Sequence, residues 1–202
     1  AENSGVSGGH LDVLSEWKDT LNDIAFTLTG GLTVTADGLD FPGLTTARGE
    51  LSEASATATF DTCKNGTLEI VLTPAASAVS AASSQLALCG SKNSGMAVGF
   101  YKVANNNSYY LITTYGATSS PTIPYTAGDW VEPCQTVAVR YDNAHSTSPG
   151  YLSGEAKPSE AINTWNAFAS PKAVLGGRFN NSATTYQSPY EGKIHAIRLY
   201  NR

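Results

Sequence analysis

Short runs in which apolar and polar side chains alternate are the main pattern along this chain. Residues 66–72 read GTLEIVL and residues 136–142 read TVAVRYD, so each run places its apolar side chains on one face. Alternation with a period of two predicts strands that are buried on one side only. Weaker runs of the same kind occupy residues 24–28, 32–34, 86–88, 96–103, 108–114 and 193–200.

The segments between these runs are short and rich in residues that form turns. About ten to twelve short strands, separated by turn signals, predict an all-β domain built as a two-sheet antiparallel β-sandwich. Gly30-Gly31 separates two runs and predicts a hairpin there. Pro42 cannot donate to a sheet ladder, so the strand before it should end there or lie at an edge. The Ala/Ser-rich residues 75–84 predict either a loop or a short helical turn.

The first nine residues differ in composition from the remainder of the chain. Residues 1–9 are rich in Gly and Ser and predict a flexible linker. Residues 10–202 then form one domain, because a chain of this length makes a single β-sandwich without a second unit. Leu14, Trp17 and Leu21 follow one another at near-helical spacing. This spacing is compatible with a helical turn within a segment that is otherwise predicted to be irregular.

The closing strand carries a sequence that is typical of one family. Residues 192–202 read GKIHAIRLYNR, and this tail resembles the last strand of the laminin G-like (LamG), concanavalin A-like jelly-roll family, usually G-K-I-x-x-I-R-L-Y-N-R. The match holds at Gly192, Lys193, Ile194, Ile197, Arg198, Leu199, Tyr200, Asn201 and Arg202. The resemblance implies a concanavalin A-like jelly roll. This fold hosts lectins, hydrolases and adhesive modules alike, so it does not define a function.

Three other segments extend the resemblance over roughly residues 17–202. Residues 37–43, DGLDFPG, resemble the D-G-L-x-F-x-G strand of the family, with Pro42 as a departure. Residues 151–155, YLSGE, resemble its short hairpin, with Ser153 where Asn is common. Near the start, Trp17, Asp19 and Asn22 match a W-x-D element that forms a loop and turn in the family.

Charge and composition exclude some partners. The chain has 12 basic and 17 acidic residues, a net charge of −5, which argues against nucleic acid because a phosphate-backbone binder shows a basic stripe. No apolar run approaches the roughly 18 residues that span a bilayer, so membrane insertion is not expected. The abundance of Gly, Ser, Thr, Asn and Tyr is common in secreted and virion-surface proteins. We therefore expect an extracellular, cell-surface or virion-surface location.

The cysteines leave the redox environment open. Cys89 lies in an apolar run and is expected to be buried. Cys63 and Cys134 precede strands in loop-like contexts and are the candidates for one disulfide bond. No C-x-x-C pair suggests zinc.

Nothing in the sequence provides the usual catalytic groups. Jelly-roll glycosidases place paired carboxylates on one strand, whereas Glu50/Glu53 and Glu155/Glu160 lack that alternating spacing. The three histidines are far apart, and neither a nucleophile elbow nor an H-E-x-x-H motif accompanies them. The sequence therefore predicts a protein that is not an enzyme.

Two kinds of ligand site can be assembled from loop residues. Calcium prefers oxygen donors, and its candidate ligands are Asp37, Asp40, Asp129 and Asp142, although no D-x-D-x-D-G loop is present. Sugars stack on aromatic faces beside amide groups. The candidate sugar-binding residues are Tyr125, Trp165, Tyr186, Tyr190, Asn180 and Asn181. Asn180, Asn181 and Tyr186 belong to a polar loop predicted at residues 180–189, and Tyr190 follows it. Aromatic residues also fill β-sandwich cores, so packing is the competing role for each ring.

The function that these observations favour is a non-catalytic carbohydrate-binding or adhesive module of a larger surface, secreted or phage protein. Its partner would be a glycan or a cell-surface polysaccharide. The alternative is a structural or protein-interaction module, such as a virion decoration or host-attachment domain, whose partners are other protein chains. An aromatic cluster beside Asn and Asp in one concavity would favour the first, and a large hydrophobic patch would favour the second.

Overall fold

The fold is taken from a computed structural model. It describes residues 14–19, 24–36, 38–61, 66–79, 85–89, 95–102, 109–115, 122–125, 135–141, 150–157, 173–179 and 184–200. Most of these residues form two antiparallel sheets, which confirms the predicted all-β sandwich of jelly-roll type. The helical segments are short: α1 (Glu53–Ala56), a π-helical turn (Thr57–Asp61) that follows it, and α2 (Ala76–Val79).

The larger sheet has eight strands. In spatial order they are β1 (Glu16–Lys18), β2 (Ala25–Thr29), β5 (Arg48–Glu50), β14 (Val174–Leu175), β7 (Gln85–Cys89), β8 (Gly95–Lys102), β9 (Tyr109–Tyr115) and β10 (Thr122–Tyr125). The second sheet has seven strands, in the order β13 (Glu155–Lys157), β12 (Gly150–Leu152), β11 (Gln135–Arg140), β6 (Thr67–Pro74), β17 (Glu191–Tyr200), β4 (Leu39–Pro42) and β3 (Thr33–Val34). A separate two-stranded hairpin consists of β15 (Arg178–Phe179) and β16 (Tyr186–Gln187).

The hydrophobic core lies between the two sheets. On β6, Leu68, Ile70 and Leu72 are fully buried and alternate with half-buried residues, as the period of two requires. The opposite sheet contributes Leu88 and Phe100 to the same apolar cluster. Each sheet therefore has one face in the core and one outer face.

The closing strand β17 sits inside the seven-stranded sheet rather than at its edge. It pairs with β6 from Gly192 to Tyr200 and with β4 on its other side. The register shifts between Ile194 and Ala196, and His195 falls at this irregularity with its Nε2 atom 2.8 Å from Thr73 Oγ1. The closing strand therefore has neighbours on both sides over its first half.

Two local predictions were wrong. Gly30-Gly31 does not close a hairpin, because β2 and β3 belong to different sheets and the glycines carry the chain from one sheet to the other. Both have positive φ, +82° and +73°, a conformation that favours glycine. Trp17 does not lie in a helical turn or an irregular loop. It lies in β1 and is 8% exposed, so its burial pattern reflects a strand face.

Other local predictions are confirmed. The strand β4 ends at Pro42. Ser153 and Gly154 both have positive φ, as the tight turn between β12 and β13 requires. The Ala/Ser-rich segment contains the short helix α2. Cys89 is buried, with 2% of its surface exposed. Among the helices of the described part of the chain, none is long and apolar enough to cross a membrane.

Candidate functional site

Strand β5 places a charged pair on the outer face of the eight-stranded sheet. Gly49 pairs with Leu28 and Leu175, which face the core, so Arg48 and Glu50 on either side of it face outwards. The Arg48 Nε atom donates to Glu50 Oε1 at 2.5 Å. Their side chains are 26% and 29% exposed, so the ion pair lies at a partly desolvated surface.

The hairpin β15–β16 covers this outer face beside the charged pair. Phe179 and Tyr186 are cross-strand partners with ring centroids 5.9 Å apart in an edge-on arrangement, and both rings pack with Val174 of β14. The Arg48 guanidinium lies over both rings, 5.6 Å from the Phe179 centroid and 5.2 Å from that of Tyr186. Cation–π attraction and apolar burial together hold the hairpin on the sheet. We call this region, Arg48, Glu50, Cys89, Val174, Phe179 and Tyr186, the covered face.

Burial determines the chemistry of Tyr186. It raises the pKa of the Tyr186 phenol well above its usual range, an effect that Arg48 opposes and Glu50 reinforces. The hydroxyl group donates to the Ala47 carbonyl at a long 3.4 Å. The phenol therefore stays neutral at physiological pH and acts as a packing group.

Tyr190 lies deeper, in the main core between the sheets. Its ring is 1% exposed and packs against Phe41 and Phe100, with centroids 6.1 Å and 6.2 Å away. Burial, followed by the charge of Asp40, raises the pKa of the Tyr190 phenol well above its usual value. These positions correct the sequence-based expectation for Tyr186 and Tyr190. Both rings contact protein, because Tyr186 on β16 packs against the outer face of the eight-stranded sheet and Tyr190, just before β17, lies in the main core. Neither ring therefore offers a stacking surface to a sugar.

The prediction of a polar loop at residues 180–189 is also wrong in its second half. Gly176-Gly177 leads into the hairpin, and a Cβ atom at Gly176 (φ +82°) would lie 2.5 Å from the Phe41 ring. Tyr186 and Gln187 form β16, and residues 188–190 lead directly into β17. Asn180 and Asn181 lie outside the described residues, so their expected role stays a prediction.

The outer face of the seven-stranded sheet carries a different set of side chains. We call the part of it formed by β12, β11, β6 and residues 196–200 of β17 the open face, because its residues are half-buried or exposed: Thr67, Glu69, Val71, Thr73, Thr136, Ala138, Arg140, Tyr151, Ala196, Arg198 and Tyr200. One row across the strands runs from Tyr151 through Ala138 and Glu69 to Arg198. The next row runs from Arg140 through Thr67 to Tyr200. The Arg198 side chain is 51% exposed and its Nη1 atom donates to Glu69 Oε1.

The two other aromatic residues expected to bind sugar are Tyr125 and Trp165. Tyr125 ends β10, where the structure describes its backbone. Trp165 lies outside the described residues. Arg48, Arg140 and Arg198 were not predicted as site residues. The available signal was their position beside or between core-facing residues on alternating strands.

Of the expected calcium donors, only Asp40 lies within the described residues. Asp40 is half-buried on β4, opposite Thr33 and Lys193. Asp37, Asp129 and Asp142 lie outside the described part. In the ranges that the structure describes, no three His, Cys, Asp or Glu side chains cluster in a way that could hold a metal ion. The calcium site stays a prediction, as does a bond between Cys63 and Cys134, which also lie outside those ranges.

Two of the acidic residues that were considered for catalysis, Glu50 and Glu155, form ion pairs. Glu50 is held by Arg48, and the exposed Glu155 forms an ion pair with Lys157 at 2.7 Å. Glu50 lies on strand β5.

Comparisons with solved structures find the same fold over most of the chain. The receptor-binding domain of the botulinum neurotoxin C/D mosaic serotype is similar with a TM-score of 0.66 and 10% identity, covering 100% of this chain and 48% of that one. The native heptameric SAP-like pentraxin from Limulus polyphemus is similar with a TM-score of 0.52 and 10% identity, covering 69% and 65%. A Trypanosoma rangeli sialidase gives 0.53 and 16%, covering 98% and 30%.

These matches establish the jelly-roll β-sandwich. The chain spans less than two thirds of each of these structures, and identities of 10–16% support the fold alone. No protein-family model matches the chain, and no curated relative matches it. The laminin G-like resemblance of the closing strand therefore stands on its own residues.

Proposed function

We propose that this chain is a non-catalytic carbohydrate-binding or adhesive module, of laminin G-like type, within a larger secreted, cell-surface or phage protein. The observation that carries the proposal is the overlap of the whole chain with the receptor-binding domain of a botulinum neurotoxin. Related domains bind sugars: the binding domain of neurotoxin DC forms a complex with SialylT, and entry of neurotoxin C depends on two ganglioside molecules. An extracellular location fits this use.

The residues proposed to contact sugar are the sequence-based candidates other than the buried Tyr186 and Tyr190. Trp165 and Tyr125 supply aromatic rings, and Asn180 and Asn181 supply amide groups for sugar hydroxyls. Calcium, bound through Asp37, Asp40, Asp129 and Asp142, is proposed as an additional ligand, because carboxylate oxygens suit this hard cation.

A protein-interaction module is the second candidate. The binding domain of neurotoxin DC also forms a complex with rat synaptotagmin II, so the same fold presents surfaces to protein. Enzyme activity is not part of the proposal. The sialidase match covers 30% of the sialidase chain, which leaves most of that enzyme outside the shared fold.

A glycan array tests the proposal, with calcium present and again with a chelator. Reproducible binding that Trp165→Ala or Tyr125→Ala weakens, while Lys18→Gln does not, would support the lectin-like function. Each variant is checked by thermal unfolding so that loss of fold is not read as loss of contact. Binding that disappears with chelator alone would support the calcium site. Silence across a broad array would overturn the glycan function and favour the protein-interaction module.

A further inference from the structure

The open face has the chemistry of a binding surface. Along β11, β6 and residues 196–200 of β17 it carries two guanidinium groups, Arg140 and Arg198, against one carboxylate, Glu69, an excess of one positive charge at this end of the sheet in a chain whose net charge is −5. The other end of the same outer face carries Asp40, Glu191 and Lys193. Arg140 is exposed and has no ion-pair partner among the described residues. A positive surface on an acidic protein attracts anions locally while the remainder of the molecule repels them.

The ion pair on this face orients one of the two cations and leaves it able to bind. Glu69 lies on β6 and Arg198 opposite it on β17. A guanidinium has five N–H donors in a planar fork, and the contact with Glu69 uses one of its nitrogens. The half-exposed Arg198 side chain therefore keeps donors for a second carboxylate, which arginine binds through two parallel hydrogen bonds.

Two aromatic side chains flank these cations. Tyr151 stands at one end of the row that leads to Arg198, and Tyr200 stands at the end of the row that begins with Arg140. Both tyrosines are half-buried, so part of each side chain reaches solvent. Between them lie small residues, Thr67 and Ala138, which leave a shallow floor. Aromatic faces beside polar groups are what a sugar ring requires.

The dimensions favour a chain of sugars. Tyr151 and Arg198 are three strands apart, which at the usual strand spacing of about 4.8 Å separates them by about 14 Å. A flat sheet face of this length suits an extended polymer, whereas a single ring would contact only one part of it.

We propose that the open face binds an extended glycan whose sugars carry carboxylates, with Arg140 and Arg198 pairing with the carboxylates and Tyr151 and Tyr200 packing against the rings. This proposal rests on the carbohydrate-binding function and adds a site and a ligand class to it. Long-range attraction between such charges weakens as salt rises, so binding should fall with ionic strength.

The test compares carboxylated and neutral polymers on the same protein. Polygalacturonate and polysialic acid are the carboxylated probes, and highly methyl-esterified pectin is the neutral match for the first. Affinities are measured by calorimetric titration at low and physiological salt. Arg140→Gln and Tyr151→Ala should each weaken binding of a carboxylated probe about tenfold, the loss expected for one charge-assisted contact or one ring contact. Lys18→Gln removes one cation from β1, on the other sheet, and should leave binding unchanged.

The outcomes separate this inference from the function on which it rests. Binding of a carboxylated probe that neither Arg140→Gln nor Tyr151→Ala alters would overturn the open face as the site. Equal binding of the esterified polymer would overturn carboxylate recognition. If the broad glycan array shows ligands but neither carboxylated probe binds, this inference fails and the carbohydrate-binding function stands. If the array shows no ligand at all, both fail.

Discussion

The two outer faces of the sandwich differ in what their central valines contact. Val174, on the covered face, is fully buried beneath the rings of Phe179 and Tyr186. Val71, on the open face, is half-buried between Thr136 and Ala196 of the adjoining strands. The same residue type at the centre of two sheets therefore has two environments, one dry and one wet.

The arginines of the two faces show the same difference. Arg48 lies over two aromatic rings and is held by Glu50, so its side chain is part of a packed cluster. Arg198 also pairs with a glutamate, yet half of its side chain is exposed. Ion pairing alone does not distinguish the faces, whereas aromatic cover does. The covered face is built for stability, and the open face keeps its charges accessible to a ligand.

The largest predicted difference concerns the tyrosines. Tyr186→Ala should lower the free energy of unfolding by about 3–5 kcal/mol, because it removes a buried ring and leaves a cavity under the hairpin. Tyr151→Ala, on the open face, should cost less than about 1 kcal/mol, since its ring packs mainly across strands. Urea unfolding followed by fluorescence measures both. Tyr186→Phe keeps the ring and should cost under about 1 kcal/mol, because the hydroxyl contact is long. Equal costs for the two alanine variants would show that the hairpin does not cover the sheet.

Threonine in place of each valine tests how dry the two faces are. Val174→Thr should destabilise the protein by about 1–3 kcal/mol, because it buries a hydroxyl group in an apolar cluster. Val71→Thr should change stability by no more than about 0.5 kcal/mol, since that hydroxyl can reach water. The two substitutions are identical in shape and differ only in position. A small effect at Val174 in urea unfolding would mean that water reaches the covered face.

The central strands could be predicted from the sequence because their information is local. On β6 and β11 the side chains alternate between core and outer face, so the period of two appears directly in the sequence. The closing strand β17 was predicted at residues 193–200 and observed as Glu191–Tyr200. These strands form the middle of their sheet, where both neighbours enforce the pattern.

The candidate sites could not be predicted in the same way, because they depend on contacts between distant segments. Tyr186 lies in a stretch rich in Asn, Ser and Thr, which favours a loop, yet its ring packs with Val174 and with Arg48, which is far away in the chain. Alternation assigns Arg140 and Arg198 to one side of their strands. It does not reveal that β6 lies between those strands, so the face they share emerges only from the sheet order.

The buried phenols predict a loss of stability at alkaline pH. Burial raises the pKa of Tyr190 and of Tyr186 in the folded protein, whereas in the unfolded chain both titrate near their ordinary value of about 10. Stability should therefore be constant below about pH 10 and fall above it, by up to about 1.4 kcal/mol per pH unit for each phenol. Urea unfolding between pH 8 and 11 measures this fall. Tyr190→Phe cannot ionise and should remove its share of the slope, and an unchanged slope in that variant would contradict the burial of Tyr190.

The smallest predicted effect separates the two ion pairs. Arg48→Gln should cost about 1–2 kcal/mol, because it removes a cation from two aromatic faces as well as from Glu50. Arg198→Gln should cost about 0–1 kcal/mol, the usual range for a solvent-exposed pair, and 1 M salt should shrink the difference between this variant and the wild type. Thermal unfolding at both salt concentrations checks these values. If Arg198→Gln proved as costly as Arg48→Gln, the cation on the open face would be part of the packed structure, and the argument that it is available to a carboxylated ligand would fail with it.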